Sequence, residues 1–253
     1  MKLLTWNVYR HNPCVRELFD EARSTAADIL CFQEVRESDI ELLSGIFNGF
    51  HVFKCRQFFI KKSERSICLY NVILSRYPFI NCFAVQHATD GLRFPPRYRL
   101  SYSGLLLEFA VADFMVDGIG VVRMFNLHLE CVAPPSVRLA RLRQVHELFL
   151  PGAMNVVMGD FNTFMNPLLA PFVAALYGNF QASDFFCFEA RLIQEACVAM
   201  KLQNPFAGVR TFKYSASQYD HILVPAGVNC TTRERIGRLS GSDHFGLCLD
   251  LAT

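Results

Sequence analysis

The sequence predicts an α/β fold in which two β-sheets pack together beneath outer helices. Three observations lead to this fold class. The chain opens with a strand, a helix and a second strand; strand-like runs separated by turn signals follow; and the last part alternates helical segments with apolar strands. A chain of 253 residues can bury about 70–75% of the surface that it exposes when unfolded. We therefore expect residues 1–253 to form a single domain.

The opening elements come from changes in apolar spacing. "KLLTWNV" begins at Lys2 and is predicted to be a strand, whereas "CVRELFDEARSTA" from Cys14 carries apolar residues at helical spacing. "DILCFQEV", residues 28 to 35, is an apolar run that ends in Gln33 and Glu34. Strand, helix and strand in this order predict the first crossover of a layered α/β fold.

Between Phe50 and Asn126 the pattern is that of short strands. The runs are "FHVFK", "ICLYNVILS", "FINCFAV", "YSGLLLEFAVA" and "IGVVRMFNLHLE". Turn signals separate them, and the "KKSER" tract from Lys61 is predicted to be a hairpin turn. Consecutive antiparallel pairing is the expected arrangement.

An amphipathic helix and three later strands complete the predicted elements. "SVRLARLRQVHELFL" begins at Ser136, a candidate N-cap, and we interpret its arginines Arg138, Arg141 and Arg143 as a solvated face with partly packed stems. "MNVVMGDFN", "YDHILV" and "GLCLDL" are strands, and helical segments are expected near residues 167 to 177 and 189 to 200.

The amino-acid composition indicates the class of protein and its cellular compartment but does not indicate its function. The 52% hydrophobic content describes an ordered globular chain, and the net charge of +2 neither demands nor excludes a polyanionic partner. The ten cysteines stand singly without CxxC spacing, so we interpret them as buried hydrophobes of a reducing compartment. The sequence shows no signal-peptide pattern and no apolar run that could span a bilayer, so a cytoplasmic or nuclear location is expected.

Polar side chains recur at the ends of the apolar runs. They are Asn7, Glu34, His128, Asp160, Asn162, Asp220, Asp243 and His244. Each one alone is more often a turn residue or a hydrogen-bonded surface group. Together they indicate a functional site, because strand ends can bring such groups to one point on a rigid scaffold.

Six blocks carry a family resemblance. "TWNV", "FQEV", "NLHLE", "GDFN", "YDHI" and "SDHFGL" occur between Thr5 and Leu247 in an order and spacing that resemble the endonuclease/exonuclease/phosphatase superfamily. The resemblance implies a four-layered α/β sandwich, with two packed mixed β-sheets flanked by helices. It also implies hydrolysis of phosphate esters with a divalent cation, usually Mg²⁺, with Mn²⁺ as an alternative.

The resemblance and the chemistry together suggest roles for these residues. Glu34 is the first choice as metal ligand, Asn7 is a neutral ligand or phosphate contact, and Asp243 completes the shell directly or through water. Asp160 would orient and deprotonate the attacking water, and Asn162 would hold that water or a phosphate oxygen.

The remaining polar residues are assigned to charge stabilisation. His244 and His128 would donate hydrogen bonds to the phosphoryl oxygens as these gain negative charge. Asp220 would accept a hydrogen bond from His244 and favour its protonated form.

Among the branches of the superfamily, the motifs are most similar to those of 5′-tyrosyl-DNA phosphodiesterases. Cys131, Phe161 and Phe164 depart from that branch, where serine, threonine and a basic residue are typical. We therefore expect a phosphodiesterase or nuclease acting on nucleic acid, at DNA ends or single strands, in a monomeric protein without a membrane span. A lipid or inositol phosphohydrolase is the alternative, followed by a non-catalytic binding module.

One loop is a candidate contact for the nucleic acid. "RFPPRYR" places Arg93, Arg97 and Arg99 beside Tyr98, a mixture suited to phosphate pairing and base stacking. An ordinary exposed loop without a binding role is the alternative interpretation.

Overall fold

The computed structural model describes residues 1–62, 65–87, 108–131, 133–164, 172, 175, 188–237 and 240–252. Within them, the helices are α1 (Val15–Ser24), α2 (Ile40–Ile46), α3 (Pro135–Glu147) and α4 (Glu189–Ala199). The strands are β1 (Lys2–Asn7), β2 (Ile29–Arg36), β3 (His51–Lys62), β4 (Arg65–Ser75), β5 (Phe79–Gln86), β6 (Glu108–Val116), β7 (Gly120–His128), β8 (Met154–Asp160), β9 (Leu202–Gln203), β10 (Asp220–Pro225), β11 (Cys230–Ile236) and β12 (Gly246–Leu251).

The strands form two six-stranded sheets. The first has the order β11-β12-β1-β2-β4-β3 and the second the order β5-β6-β7-β8-β10-β9. Each sheet contains one parallel pair, β1 with β2 and β7 with β8, and its other pairs are antiparallel, so both sheets are mixed. A parallel pair needs a crossover, and α1 and α3 provide the two crossovers.

The core lies in three layers of apolar side chains. Residues such as Leu3 and Ile73 of the first sheet pack against Met124 and Val156 of the second, and all four are fully buried. On its outer face the first sheet packs against residues of α1 and α2, and the second sheet packs against residues of α3 and α4. The predicted four-layered α/β sandwich is confirmed.

Consecutive antiparallel pairing is correct for β3–β4, β5–β6 and β6–β7 but wrong for β4–β5. Both edges of β4 are occupied, by β2 and by β3, so the chain leaves the first sheet after Ser75 and enters the second at Phe79. The hairpin at the "KKSER" tract is confirmed by the pairing of Lys62 with Arg65.

Some elements differ from the sequence prediction. The edge strand β11 was missed because most of its residues are exposed and charged or polar, and the short α2 was missed as well. The helix α3 begins at Pro135 with Pro134 at the N-cap position, so Ser136 is not the cap. The segment predicted as helix near residues 167 to 177 lies outside the described residues except for 172 and 175, whereas α4 confirms the segment near 189 to 200.

The arginines of α3 correct another expectation. The residues Arg138 and Arg141 are 1% and 7% exposed, and of the three arginines only Arg143 lies on a solvated face. Arg138 pairs with Glu189 of α4 and donates to the carbonyl oxygens of Glu130 and Ala133. A buried cation must be paired, and this pair joins the two outer helices of the second sheet.

The cysteines were only partly predicted. The described cysteines are all free, but Cys82 and Cys131 are exposed, and Cys187 lies outside the described residues. Cys82 is exposed because it lies on β5, an edge strand whose side chains mostly face solvent. No helix in the described parts of the chain combines the length and apolar character needed to cross a membrane.

Candidate active site

Three neighbouring strands of the second sheet place His128, Asp160 and Asp220 side by side. β7 pairs His128 with Asp160, and β10 pairs Asp220 with Asp160 from the other edge. Gly159 precedes the central acid at a φ of +136°, and a Cβ atom there would lie 2.0 Å from the carbonyl oxygen of Leu127. Only glycine allows β8 to approach β7 this closely.

The first sheet contributes Asn7 and Glu34. β1 ends at Asn7, which lies opposite Gln33 in the parallel pair β1–β2. Between Phe32 and Val35 the pairing of β2 with β4 shifts register, and Glu34 has a φ of +58°. A bulge of this kind re-aims a side chain, and here it turns the Glu34 carboxylate toward the N–H of Arg10, which donates to it at 2.9 Å.

The Asp160 carboxylate is the centre of the cluster and is 1% exposed. One oxygen accepts from the side-chain amide of Asn7 at 2.8 Å, and the other accepts from the backbone N–H of Asn162 at 2.8 Å. The Nε2 atoms of His128 and His244 lie 3.5 Å and 3.7 Å from the first of these oxygens. Burial raises the pKa of Asp160, and the charges of the two imidazoles act in the opposite direction.

Asp220 and His244 form a buried pair behind this carboxylate. The Nδ1 atom of His244 lies 2.8 Å from Oδ2 of Asp220. Burial by itself lowers the pKa of His244, but the carboxylates of Asp220 and Asp160 outweigh burial and raise the pKa to about 10. The imidazole is therefore held as a cation with Nδ1 on Asp220 and Nε2 facing Asp160.

Backbone contacts fix the orientation of His244. Its N–H donates to the hydroxyl of Ser242 at 3.0 Å, and that hydroxyl donates to the carbonyl oxygen of Asn7 at 2.7 Å. The indole of Trp6 donates to the His244 carbonyl oxygen at 3.2 Å. These bonds connect the loop before β12 to the end of β1.

Asn162 lies on the turn after β8 with a φ of +52°. Its side-chain amide donates to the carbonyl oxygen of Leu129 at 2.8 Å, so that N–H is occupied inside the protein. The side-chain oxygen of Asn162 is the group that could face a water or a metal-bound ligand.

Glu34, Asp243 and Asn7 are the residues that could hold a divalent cation at the acidic edge of this cluster. Burial raises the pKa of Asp243, His244 lowers it, and the negative charges of Glu34 and Asp160 raise it further. Carboxylates that oppose one another's ionisation, and the side-chain oxygen of Asn7, are of the oxygen-donor type that Mg²⁺ prefers. The Asn7 oxygen already accepts from the N–H of Tyr9 at 2.9 Å, which leaves it one lone pair.

A second group of possible ligands is Asp160, Asp220 and His244, whose ligand atoms lie within 4.8 Å of one another. In this group the hydrogen bond between Asp220 and His244 already uses one nitrogen and one oxygen. The His244 imidazole therefore lies between two acids, with Nδ1 on Asp220 and Nε2 facing Asp160.

The sequence matches the model of the endonuclease/exonuclease/phosphatase family over residues 4–244. The chain belongs to this family. Its members are hydrolases that act on phosphate esters and typically depend on a divalent metal. No curated protein sequence matches the chain.

Solved structures of the family share the fold. An endonuclease/exonuclease/phosphatase from Beutenbergia cavernae superposes with a TM-score of 0.72 at 17% identity over 99% of this chain and 71% of that one. A humanized D. rerio TDP2 gives 0.64 at 14% identity over 100% and 99% of the two chains. A Bacteroides thetaiotaomicron mannosyl-6-phosphatase gives 0.65 at 15% identity over 100% of both.

Sequence reasoning missed one residue that joins the two sides of the site. Gln57 of β3 accepts from the N–H of Glu34 at 2.8 Å and makes a short hydrogen bond with Nδ1 of His128. It thereby connects Glu34 of the first sheet to His128 of the second. Gln57 lies three residues beyond the predicted run "FHVFK" and next to no turn signal, so no local pattern marked it.

The residues that depart from the tyrosyl-DNA phosphodiesterase pattern lie in different environments. Phe161 is fully buried and stacks on His221 with ring centroids 4.7 Å apart, so it is a core residue. The backbone N–H of Phe164 donates to Glu189, and Cys131 is exposed. Arg93, Arg97, Tyr98 and Arg99 lie outside the described residues.

Proposed function

We propose that this protein is a metal-dependent phosphodiesterase that hydrolyses phosphate esters of nucleic acid, at DNA ends. The observation that carries the proposal is the Asp160 carboxylate, which is held by the Asn7 amide and faces the Nε2 atoms of His128 and His244. Acid, amide and imidazoles around one point are the groups that in-line attack of water on phosphorus requires.

Asp160 is the general base. Its two hydrogen bonds fix the carboxylate, and burial raises its pKa, which makes it a stronger base than an exposed aspartate. The proton of the attacking water would pass to Asp160, while the Asn162 side-chain oxygen orients that water.

His244 and His128 stabilise the charge that develops on the phosphoryl oxygens. His244 is the stronger contributor, because its bond to Asp220 keeps it protonated and its orientation is fixed in advance. His128 is positioned by Gln57 and would donate through Nε2.

Glu34, Asp243 and Asn7 would hold the divalent cation, Mg²⁺ or Mn²⁺. When bound, the cation neutralises negative charge on the phosphate and on the leaving oxygen. Gln57 and Arg10 orient the Glu34 side of this ligand set through the Glu34 N–H and carboxylate respectively.

Nucleic acid is the favoured substrate for two reasons. The motif blocks are most similar to those of 5′-tyrosyl-DNA phosphodiesterases, and TDP2 structures are among those that share the fold. The mannosyl-6-phosphatase structure of similar likeness favours, as a second candidate, hydrolysis of a small phosphomonoester.

A turnover panel at fixed Mg²⁺ tests the proposal. It compares a 5′-phosphotyrosyl oligonucleotide, single-stranded and duplex DNA, an abasic duplex, poly(A) RNA, sphingomyelin, a phosphoinositide and mannose 6-phosphate. We expect the wild-type protein to turn over DNA substrates. The variant Asp160→Asn should abolish this turnover, and the control variant Arg143→Gln, at an exposed position, should retain it. Turnover confined to the lipids or to mannose 6-phosphate contradicts a nucleic-acid function.

A further inference from the structure

A basic strip runs outward from the candidate active site. It consists of Arg210 and Lys213, from the segment between β9 and β10, and Arg233 and Arg235 of the edge strand β11. The neighbouring residue Phe212 pairs with His244 in an isolated β-bridge, and their rings are 5.2 Å apart. The basic strip therefore begins beside the His244 imidazole of the site.

Contacts with the protein hold the cations of the strip in place. The Arg235 guanidinium and the Lys213 ammonium both contact the ring of Phe245, at 4.3 Å and 5.3 Å from its centroid. Arg235 also donates to the carbonyl oxygen of Arg210 at 3.1 Å, and Arg210 donates to that of Phe212 at 3.0 Å. Arranged in advance, these groups lose less side-chain entropy when an anion binds.

The four cations of the strip make no direct ion pair among the described residues, although Glu234 lies between Arg233 and Arg235 in the sequence and the carboxylates of Asp243 and Glu21 act on Lys213 from beyond 4.0 Å. Among the described residues, no carboxylate lies within 4.0 Å of these four cationic groups, whereas Arg36, Arg123 and Arg191 each have such a partner. A solvated face is the ordinary explanation of exposed cations. Here two cations share one aromatic ring close to the active site, and this local clustering instead indicates an external polyanion.

An exposed aromatic ring adjoins the strip. Tyr214 is 81% exposed, and its ring lies edge-on to Phe212 with centroids 5.6 Å apart. The Phe212 ring in turn stacks on the Tyr219 ring with centroids 4.7 Å apart, so Phe212, which contacts Tyr214, is itself held in place. A supported and exposed ring next to cations is the arrangement on which bases of a single strand stack.

We propose that the basic strip binds the single-stranded segment of nucleic acid that adjoins the scissile phosphate, with phosphates on the strip and one base on Tyr214. This assignment rests on the proposed function and adds the path of the strand to it. The occupant is a single strand, because the surface places cations beside one exposed ring on which an unpaired base can stack.

The test is binding of a fluorescein-labelled oligothymidylate to the full chain in EDTA, measured by anisotropy across a series of salt concentrations. Wild type is compared with the triple variant Arg210→Gln/Lys213→Gln/Arg235→Gln. Each phosphate contact to a single strand contributes about 0.7 to the slope of log K against log salt, so the triple variant should lose about 2 of slope. Its affinity at low salt should fall by about tenfold or more.

A matched control removes the same charge elsewhere. Arg143→Gln/Arg191→Gln/Lys201→Gln replaces two arginines and one lysine at exposed positions outside the strip and should keep the wild-type slope. Tyr214→Ala should weaken binding by about fivefold or more through the lost stack, and Tyr214→Phe should restore it. If the triple variant unfolds at a lower urea concentration than wild type, the single variant Arg235→Gln replaces it in the test. This single variant should lose about 0.7 of slope.

The outcomes separate this inference from the proposed function. Strip-dependent binding by a protein that turns over no nucleic acid supports the strip and contradicts the proposed function. Turnover of DNA with wild-type affinity and slope in the strip variants overturns the strip and leaves the function standing. The inference is also overturned if the control variant loses as much slope as the strip variant. It is likewise overturned if the strip binds phosphatidylserine vesicles and no oligonucleotide.

Discussion

The buried pair Arg138–Glu189 predicts a large loss of stability when the arginine is removed. The two side chains are 1% and 3% exposed, and the guanidinium also donates to the carbonyl oxygens of Glu130 and Ala133. Arg138→Met would leave a buried carboxylate without its cation. Breaking a buried pair in this way costs about 3–5 kcal/mol, and we expect the free energy of unfolding to fall by that amount.

The exposed pair Arg191–Glu195 on α4 is a matched control. Its side chains are 79% and 56% exposed, so Arg191→Met should cost at most about 0.5 kcal/mol. The double variant Arg138→Met/Glu189→Met removes both buried charges and should be more stable than Arg138→Met by about 1 kcal/mol or more.

Urea unfolding followed by the fluorescence of the single tryptophan, Trp6, measures these differences. The slope of the unfolding free energy with urea should stay constant across the series, so that midpoint shifts report stability alone. If Arg138→Met lay within about 1 kcal/mol of Arg191→Met, the pair would not have the energetic role assigned to it.

Three further predictions concern the site and the pH dependence. Exhaustive metal removal should abolish phosphodiester turnover, and Mg²⁺ or Mn²⁺ should restore it; full turnover in the metal-free protein would contradict the ligand set. Asp160→Asn should keep the wild-type circular dichroism yet lose orders of magnitude in kcat, and near wild-type kcat would exclude Asp160 as the base. Burial lowers the pKa of His221 from 6.5 to about 3, so the folded protein keeps it neutral where the unfolded chain binds a proton. The contribution of His221 to the free energy of unfolding should therefore fall by about 2 kcal/mol from pH 7 to pH 5. The variant His221→Gln should lose this pH dependence in urea titrations. An unchanged dependence in the variant would mean that His221 is not the group responsible.

The sequence alone determined the fold class and the positions of the polar strand ends. Apolar runs such as those before Glu34 and Asp160 are local signals, because a buried strand must be apolar whatever its partners are. The resemblance of the six sequence blocks to the family added the prediction that the sheets and helices form four layers. Strands that are solvated, such as β11, carry no such signal and were missed.

The tertiary structure decided which polar groups meet and which charges are buried. Gln57 reaches both Glu34 and His128 only because β2 bulges and the two sheets face each other, and a spacing along the chain cannot encode that contact. Arg138 looked solvated because helical periodicity shows which residues share a face, not what covers it. Its partner Glu189 lies 51 residues away in sequence. Long-range pairing of this kind depends on the packing of whole elements, and packing follows from the fold.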